Sequence, residues 1–285
     1  MSISASQVKE LREMSGVGMM ECKKALVETD GDLEKALDLL RANSSLKAEK
    51  KASRVAADGE VKVAENPGYT SIVEINSETD FAAKDSKFKE FANNVSEHLC
   101  NNHINEIDEL SHSFEEKRQS LIQSVGENIQ LRRLKTIEVP SGGSIGSYIH
   151  SDSKLAAIVS IDTDNQELAK DLAMHVSATN PSCLQSEDID PDLLERERSI
   201  FLAQAKESGK EESIMKKMVE GKVQRFLSEV TLVSQGFVKN PDQSIEELLK
   251  ENDTSIIEFV RFKVGEGIEV ETKDFAAEVA EQLKQ

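Results

Sequence analysis

The sequence of 285 residues contains no tryptophan and two tyrosines, and aromatic residues make up only 4% of it. This scarcity is typical of helices whose cores are packed with Leu, Ile, Val and Ala. Hydrophobic residues account for 38% and charged residues for 31%, which excludes a disordered chain and predicts a folded one. The length suggests about two domains, with ample chain for a buried core.

Cysteine is also scarce. The three residues Cys22, Cys100 and Cys183 lie far apart and form no C-x-x-C pair, which argues against a disulfide framework and favours a reducing compartment. The sequence has no apolar run of about 18 residues that would span a membrane. Residues 1–4 lack the basic and apolar regions of a secretory signal. We therefore expect a cytoplasmic protein that does not enter a membrane.

Positive charge is in deficit, because 35 Lys and Arg residues face 53 Asp and Glu residues, a net charge of −18. A surface of this sign repels phosphate backbones, so direct nucleic-acid binding is not expected. Residues 47–54 are an exception, with four Lys and Arg residues. We interpret them as a solvated linker, and a local basic patch is the alternative.

The sequence lacks the motifs of enzymatic chemistry, including G-x-x-x-x-G-K-[ST], H-E-x-x-H and G-x-S-x-G. Gly265 and Gly267 form a G-x-G pair without a surrounding βαβ unit. His98, Cys100 and His103 have no second cluster that would complete four metal ligands, so a polar helix end is favoured over a metal site. Carboxylates are too abundant to single out a catalytic pair. We expect no enzyme, no bound metal and no cofactor.

The first 42 or so residues predict three short helices. Ser4 and Gln7 form a capping box at the start of the first helix, and Gly16 begins the break that ends it. Three helices in about 40 residues make a minimal bundle that is marginal alone. We interpret it as a ubiquitin-associated-like module that docks a partner helix. The alternative is a bundle that packs only on its own chain. Residues 43–58 are interpreted as a linker, with partial helix as an alternative.

A mixed region follows, in which one strand–strand–helix pattern occurs twice. A duplicated unit is our interpretation, and chance recurrence of a common α+β motif is the alternative. The predicted strands are Val61–Val63, 69–76, 131–139, 144–150 and 155–161, and the predicted helices are 84–101, 114–129 and 166–178. The helix over 114–129 either ends near Gly126 or runs through it.

Residues 191–230 predict an antiparallel helical hairpin inserted into the second half. Met215, Val219, Val223, Phe226 and Val230 recur at steps of four and three, which makes a narrow apolar seam. This seam can pair within the hairpin, with the core or with a second chain, so a dimer through the hairpin is one outcome. The remaining predictions are a strand over 231–233, a turn at 240–242 leading into a helix, a strand over 256–264 and a last helix over 274–283.

Residues 79–85, Thr-Asp-Phe-Ala-Ala-Lys-Asp, are the most informative segment. They join a predicted strand to a helix, where turns favour Gly, Pro, Asn, Asp and Ser. The ring of Phe81 must therefore bury itself in its own core or in that of another protein. The second copy of the pattern has Asp164 and Asn165 at this place, so the ring is not needed to form the turn.

Two long segments, Met14–Leu26 and Glu74–Lys84, resemble the signature segments of bacterial elongation factor Ts. Shorter matches follow the family's order at residues 126–129, 146–150, 218–221 and 262–267. The resemblance implies an α+β fold with an N-terminal three-helix ubiquitin-associated-like module, a duplicated core with antiparallel sheets, an inserted antiparallel helical hairpin and a C-terminal helix. The expected divisions are 1–54 for the docking module and linker, 55–139 for the first core subdomain, 140–184 with 231–263 for the second, 185–230 for the hairpin and 264–285 for the C-terminal module.

The resemblance also implies a function: guanine-nucleotide exchange on elongation factor Tu, the GTPase that delivers aminoacyl-tRNA to ribosomes. The chain would bind both the GDP-bound and the nucleotide-free GTPase, disturb its magnesium and phosphate site, and promote GDP release so that GTP can bind. A passive adaptor or chaperone that binds without speeding release is the alternative.

The same resemblance implies which residues touch the partner. The segment that disturbs the magnesium site consists of Thr79, Asp80, Phe81 and Ala82, with the ring of Phe81 wedged between two helices of the GTPase. Position 82 usually carries a larger aliphatic residue in this family, so Ala82 removes some apolar contact. Further partner contacts are implied for Met19, Met20, Val125, His150 and the C-terminal helix.

Overall fold

The computed structural model describes residues 3–207 and 211–269. The predicted C-terminal helix over 274–283 lies outside the described residues. The helices are α1 (Ala5–Ser15), α2 (Met19–Glu28), α3 (Leu33–Lys51), α4 (Asp80–Lys84), α5 (Ser86–Asn101), α6 (Ile107–Val125), α7 (Gln166–Thr179), α8 (Pro191–Glu207), α9 (Glu212–Val230) and α10 (Ile245–Glu251). The strands are β1 (Asp58–Glu65), β2 (Tyr69–Ser77), β3 (Ile129–Glu138), β4 (Ser144–Ile149), β5 (Leu155–Ile161), β6 (Gly236–Phe237), β7 (Asn240–Ser244) and β8 (Ile256–Lys263).

The strands form three small sheets, ordered β1-β2-β3, β4-β5-β8 and β6-β7. The α+β class predicted from the sequence is confirmed. The described residues divide into two compact units, the first comprising 3–62, 73–134 and 263–269 and the second comprising 63–72, 135–207 and 211–262. Each unit has apolar clusters of its own.

The N-terminal helices begin and end where local chemistry predicts. Ser4 and Gln7 form the capping box of α1, and Gly16 ends that helix in the left-handed conformation with φ of 69°. A single buried cluster, which includes Leu11, Cys22 and Leu26, holds α1, α2 and α3 together. The three-helix bundle predicted from the sequence is therefore present.

Of the two interpretations of residues 43–58, the structure shows the partial helix, because α3 continues to Lys51. Ser44 and Ala48 are small side chains buried on one face of α3, one turn apart. The Ser44 hydroxyl is within hydrogen-bond reach of Gln123 on α6. Packing against α6 thus keeps the chain helical where its Ala-, Lys- and Ser-rich composition suggested a linker.

The core of the first unit lies between α5, α6 and the strands β2 and β3. Phe91 and Phe114 meet edge to face with ring centroids 5.8 Å apart. The helix predicted from Phe114 begins earlier, at Ile107, and of the two endings that the sequence left open the structure shows the one before Gly126, which has a φ of 88°. The apolar positions of α5 point into the same cluster, as their helical spacing predicts.

A buried carboxylate organises one edge of this unit. Glu74 of β2 is fully buried and accepts hydrogen bonds from Arg132 and Arg133 of β3 and from the backbone N–H of Gly265, at 2.9, 2.5 and 2.8 Å. Burial raises the pKa of Glu74, but the Gly265, Arg132 and Arg133 donors outweigh it, so the pKa lies below its usual value. A Cβ at Gly265 would lie 2.2 Å from the carbonyl oxygen of Ala57, so this turn requires glycine.

In the second unit α7 packs on the antiparallel pair β4 and β5. A Cβ at Gly146 of β4 would lie 2.0 Å from the Ala169 carbonyl carbon, so glycine lets the α7 backbone approach the strand. The strand predicted over 231–233 is wrong. Only Thr231 forms a bridge, to Cys183, and residues 232–234 form a 3-10 turn with Leu232 buried in the core.

The helical hairpin consists of α8 and α9, whose contact is formed by Ala205, Val219 and Val223. Met215 packs beside them, as the spacing predicts. Phe226 meets Phe201 of α8 with ring centroids 6.4 Å apart. The seam predicted from the sequence therefore pairs within the hairpin. Residues 240–242, predicted as a turn, instead belong to strand β7, which covers Asn240–Ser244.

His175 of α7 makes the stability of the second unit depend on pH. Its ring is fully buried, Nδ1 accepts from the Val238 N–H at 3.2 Å, and Nε2 therefore donates to the Gln235 side-chain oxygen at 3.0 Å. Burial lowers the pKa of His175, and the Gln235 contact opposes this only in part. As the pH falls below about 6.5, His175 is protonated in the unfolded chain but stays neutral in the folded chain, so the free energy of unfolding decreases.

We expect the melting temperature of the wild-type chain to fall between pH 7 and pH 5.5 more steeply than that of His175→Gln, which does not titrate. In terms of the free energy of unfolding, the two slopes differ by at most about 1.4 kcal/mol per pH unit. Thermal unfolding followed by circular dichroism at several pH values measures it. Parallel slopes would contradict this account of His175.

Candidate functional site

The segment 79–85 folds as two successive helix starts. Thr79 caps α4, and its hydroxyl oxygen accepts the Ala82 N–H at 3.3 Å. Asp85 then caps α5 by accepting the Lys87 N–H at 2.8 Å. Side-chain oxygens at this position satisfy backbone donors that lack a partner inside the helix. The helix predicted over 84–101 is thus α5 from Ser86 onwards, preceded by the five-residue α4.

The ring of Phe81 points away from the core of its own chain. It is 80% exposed, the highest value among the exposed large hydrophobic residues of the described part of the chain. The next two residues, Ala82 and Ala83, are each only 4% exposed. Of the two possibilities open at the level of sequence, burial of Phe81 in its own core is therefore excluded.

Charged groups flank the ring. The Lys84 ammonium lies 5.8 Å from the Phe81 ring centroid and donates to the Asp80 carboxylate at 2.6 Å. Hydrogen bonding and the negative charge of Asp80 raise the pKa of Lys84. Asp80 is itself partly exposed. The turn therefore presents an apolar ring with a carboxylate beside it.

Two segments, residues 78–79 and 127–128, hold this turn in place, because a glutamate of each accepts hydrogen bonds from the other. Glu127 accepts both the Thr79 N–H, at 2.9 Å, and the Thr79 hydroxyl, at 2.7 Å. Glu78 in turn accepts the Asn128 N–H at 2.7 Å. We call Glu78, Thr79, Glu127 and Asn128 the glutamate clamp. Sequence reasoning gave none of them a positioning role, although residues 126–129 had been noted as a family match.

The exposed methionines of α2 form a separate apolar patch. Met19 and Met20 are 57% and 69% exposed in the first turn of the helix. Val27 is also exposed two turns further on, and Lys23, Lys24 and Glu28 line the shallow groove with Met20 and Val27. An apolar strip with a charged rim fits an interaction surface better than a core face.

The remaining predicted contacts lie in different settings. Ala82 faces its own core. Val125 is partly buried, packs against the core of the first unit and immediately precedes the αL residue Gly126. His150 is exposed at the end of β4 in the second unit, where its Nδ1 lies 3.2 Å from the Tyr148 hydroxyl. The structure thus brings Thr79, Asp80, Phe81 and Ala82 together on one turn of the first unit, whereas His150 belongs to the second unit.

No group of three or more His, Cys, Asp or Glu side chains within residues 3–207 and 211–269 is placed to hold a metal ion. Cys22, Cys100 and Cys183 are buried. Among the helices in these ranges, none is long and apolar enough to cross a membrane.

Comparison with known proteins gives consistent matches. A family model described as Elongation factor TS matches residues 78–266. A protein named Elongation factor Ts from Hahella chejuensis is 48% identical over 286 residues, which cover 99% of each chain. Proteins of the same name from Thioalkalivibrio sulfidiphilus and Francisella tularensis subsp. novicida are each 46% identical, over 292 and 290 residues, and at least 99% of every chain is covered.

Proposed function

Because the chain belongs to the elongation factor Ts family, we propose that it is a guanine-nucleotide exchange factor for the translational GTPase elongation factor Tu. It binds the GDP complex, disturbs the magnesium and phosphate site, and leaves the nucleotide-free GTPase ready to bind GTP. Such a factor makes and breaks no covalent bond, and the family name describes a factor rather than an enzyme. Cytoplasmic location is part of this proposal.

The observation that carries the proposal is the exposed ring of Phe81 on a clamped turn. The Phe81 ring is 80% exposed, and its burial by another surface contributes about 1.5–3 kcal/mol. Asp80, which is paired with Lys84 in the free chain, brings a carboxylate toward whatever the ring enters. We propose that Thr79, Asp80, Phe81 and Ala82 form the segment that disturbs the magnesium site, with the ring as a wedge between two GTPase helices.

Exchange requires that the factor bind the empty GTPase better than the loaded one, and nucleotide then expels the factor to the same extent. Shifting such an equilibrium about ten-thousandfold needs roughly 5.5 kcal/mol of differential binding. Phe81 alone is therefore insufficient. We propose that Met19 and Met20 of the three-helix, ubiquitin-associated-like module supply a second docking surface, and that Val125, His150 and the C-terminal helix add further contacts.

The domain division predicted from the sequence is also retained as a proposal. The two three-stranded sheets share one arrangement, in which two successive strands are followed by one or more helices and, later in the chain, by a third strand beside the second. In the second sheet the strand pair β6-β7 is also inserted before the third strand. This supports a duplicated core. Dimerisation through the hairpin stays a prediction, and sedimentation velocity on the purified chain tests it.

The proposed function is tested by stopped-flow release of a fluorescent GDP analogue from elongation factor Tu. With excess unlabelled GDP present, we expect the release rate to rise with the concentration of this chain and then to saturate. A passive adaptor would instead form a complex, detectable by gel filtration, without faster release. That result would overturn the proposal.

A further inference from the structure

We infer that Glu127 is a positioning residue for the exposed ring of Phe81, an inference that rests on the proposed exchange function. Glu127 lies outside α4 and 46 positions beyond Phe81 in the sequence. Its carboxylate nevertheless controls how α4 begins, because it binds the residue that caps this helix. Glu127 acts through Thr79 and is not assigned any contact with the partner.

The connection runs through the Thr79 hydroxyl. This group donates its proton to Glu127 at 2.7 Å and accepts the Ala82 N–H at 3.3 Å. A hydroxyl has one proton and two lone pairs, so both contacts are made at once, and donation to Glu127 fixes which lone pair faces Ala82. Bonds to an ionised acceptor are stronger than neutral ones. Two hydrogen bonds thus join the carboxylate to the helix that carries Phe81.

The ring depends on this support because α4 is short. A helix of five residues has too few internal hydrogen bonds to be stable alone. Only Ala82 and Ala83 anchor it in the core, and their methyl groups provide little contact area. The orientation of the ring is therefore set by the start of the helix. A ring held in its binding orientation avoids the cost of ordering it during docking.

The second half of the clamp keeps the fold when Glu127 is changed. Glu78 binds the Asn128 N–H, and the Asn128 side chain donates to the Arg54 carbonyl oxygen at 2.8 Å. Both contacts remain in a Glu127 variant. Glu127 is partly exposed, so its replacement does not leave a buried charge without a partner. A change at Glu127 is thus expected to affect exchange more than folding.

The test uses Glu127→Gln in the stopped-flow assay. The two Thr79 donors bind different oxygens of the Glu127 carboxylate, and an amide replaces one of these oxygens with an NH₂ donor, so one of the two contacts is lost. We expect the maximal release rate to fall about tenfold, as for loss of a hydrogen bond to a charged group. The concentration of this chain that gives half-maximal rate should change less, because other surfaces set docking affinity. Glu97→Gln, which removes the same charge from the exposed face of α5, should leave the rate unchanged.

A double-mutant cycle with Phe81→Ala separates positioning from general weakening. If Glu127 acts through the ring, Glu127→Gln has no further effect once Phe81 is alanine. If instead the fold-losses of the two single variants multiply in the double variant, the inference is overturned. Failure of the proposed wedge can be told apart from failure of the positioning role, because in the first case Phe81→Ala itself leaves the release rate unchanged. An effect of Phe81→Ala with none of Glu127→Gln would overturn the positioning role alone.

Variants of Thr79 provide a second readout. Thr79→Ser keeps the hydroxyl and should retain a faster release than Thr79→Val, which keeps the shape and loses both hydrogen bonds of the side chain. Circular dichroism melting confirms that each variant is folded. Equal rates for the two variants would contradict the relay through the hydroxyl.

Discussion

Replacing Phe81 with alanine is expected to slow the stimulated release of GDP from elongation factor Tu by roughly ten- to hundredfold. Burial of a Phe side chain contributes about 1.5–3 kcal/mol, and each 1.36 kcal/mol in the barrier is about tenfold in rate. Because the side chain is 80% exposed, its removal leaves no cavity in this chain. Stopped-flow release of the fluorescent GDP analogue at saturating factor measures the effect.

The matched control is Phe81→Leu, which keeps an apolar side chain of smaller area. We expect it to lie between the wild-type chain and Phe81→Ala. The melting temperature of both variants should equal that of the wild-type chain, since the ring contributes no core contact. A release rate for Phe81→Ala equal to that of the wild-type chain would refute the wedge. A large loss of melting temperature would show that the ring belongs to the core.

The second large effect concerns stability. Glu74→Gln is expected to lower the free energy of unfolding by about 3 kcal/mol, the low end of the range for breaking a buried ion pair. The variant leaves Arg132 and Arg133 without their shared carboxylate, and the side chain it alters is fully buried. The low end applies because both arginines are partly exposed. Urea unfolding measures the change.

The control is Glu258→Gln, which breaks the exposed pair between Glu258 and Lys135 with its 3.4 Å separation. Exposed pairs contribute at most about 1 kcal/mol, so this variant should be close to the wild-type chain. If Glu74→Gln were no more damaging than Glu258→Gln, the Glu74 cluster would not stabilise the first unit.

The effect of Glu74→Gln also depends on pH. Because the folded pKa of Glu74 lies below its usual value, its contribution is fully present above the ordinary glutamate pKa of about 4.3. It is lost as the pH falls through the lower folded value. The stability difference between the wild-type chain and Glu74→Gln should therefore shrink on acidification below that range. A constant difference would contradict the assigned role of the carboxylate.

Local patterns predicted those elements whose stability is local. The capping box at Ser4 acts within a few residues and is present in the structure, as is the glycine at the end of α6, one of the two endings that the sequence left open. Strand β2 is present too, but all of its residues after Tyr69 are buried, so the alternation expected of a half-buried strand is not observed. The hairpin seam was predictable for the same reason, because its partner helix is next in sequence. The helical extension to Lys51 was only one of two alternatives, because it follows from packing on α6.

Errors and omissions occurred where distant segments decide the outcome. Residues 231–233 have the composition of a strand, but the Thr231 N–H donates back to the Leu227 carbonyl oxygen, the Leu232 and Val233 N–H groups donate to Cys183 and Leu184, and the chain then turns. Glu127 and Thr79 are 48 residues apart in the sequence. Nothing in the local sequence around Glu127 indicates that its carboxylate accepts a backbone N–H from so distant a residue. The sequence allowed Phe81 to be buried in its own core or exposed for a partner, and the structure shows that it is exposed.

The most direct measurement uses the absence of tryptophan from this chain. Phe81→Trp introduces a single indole at the proposed wedge, and wild-type complexes provide the reference spectrum for any tryptophan of the partner. We predict the emission of a water-exposed indole in the free chain, a blue shift on binding nucleotide-free elongation factor Tu, and reversal when GDP is added. A buried indole in the free chain, or an unchanged spectrum in a complex shown to form, would contradict the account.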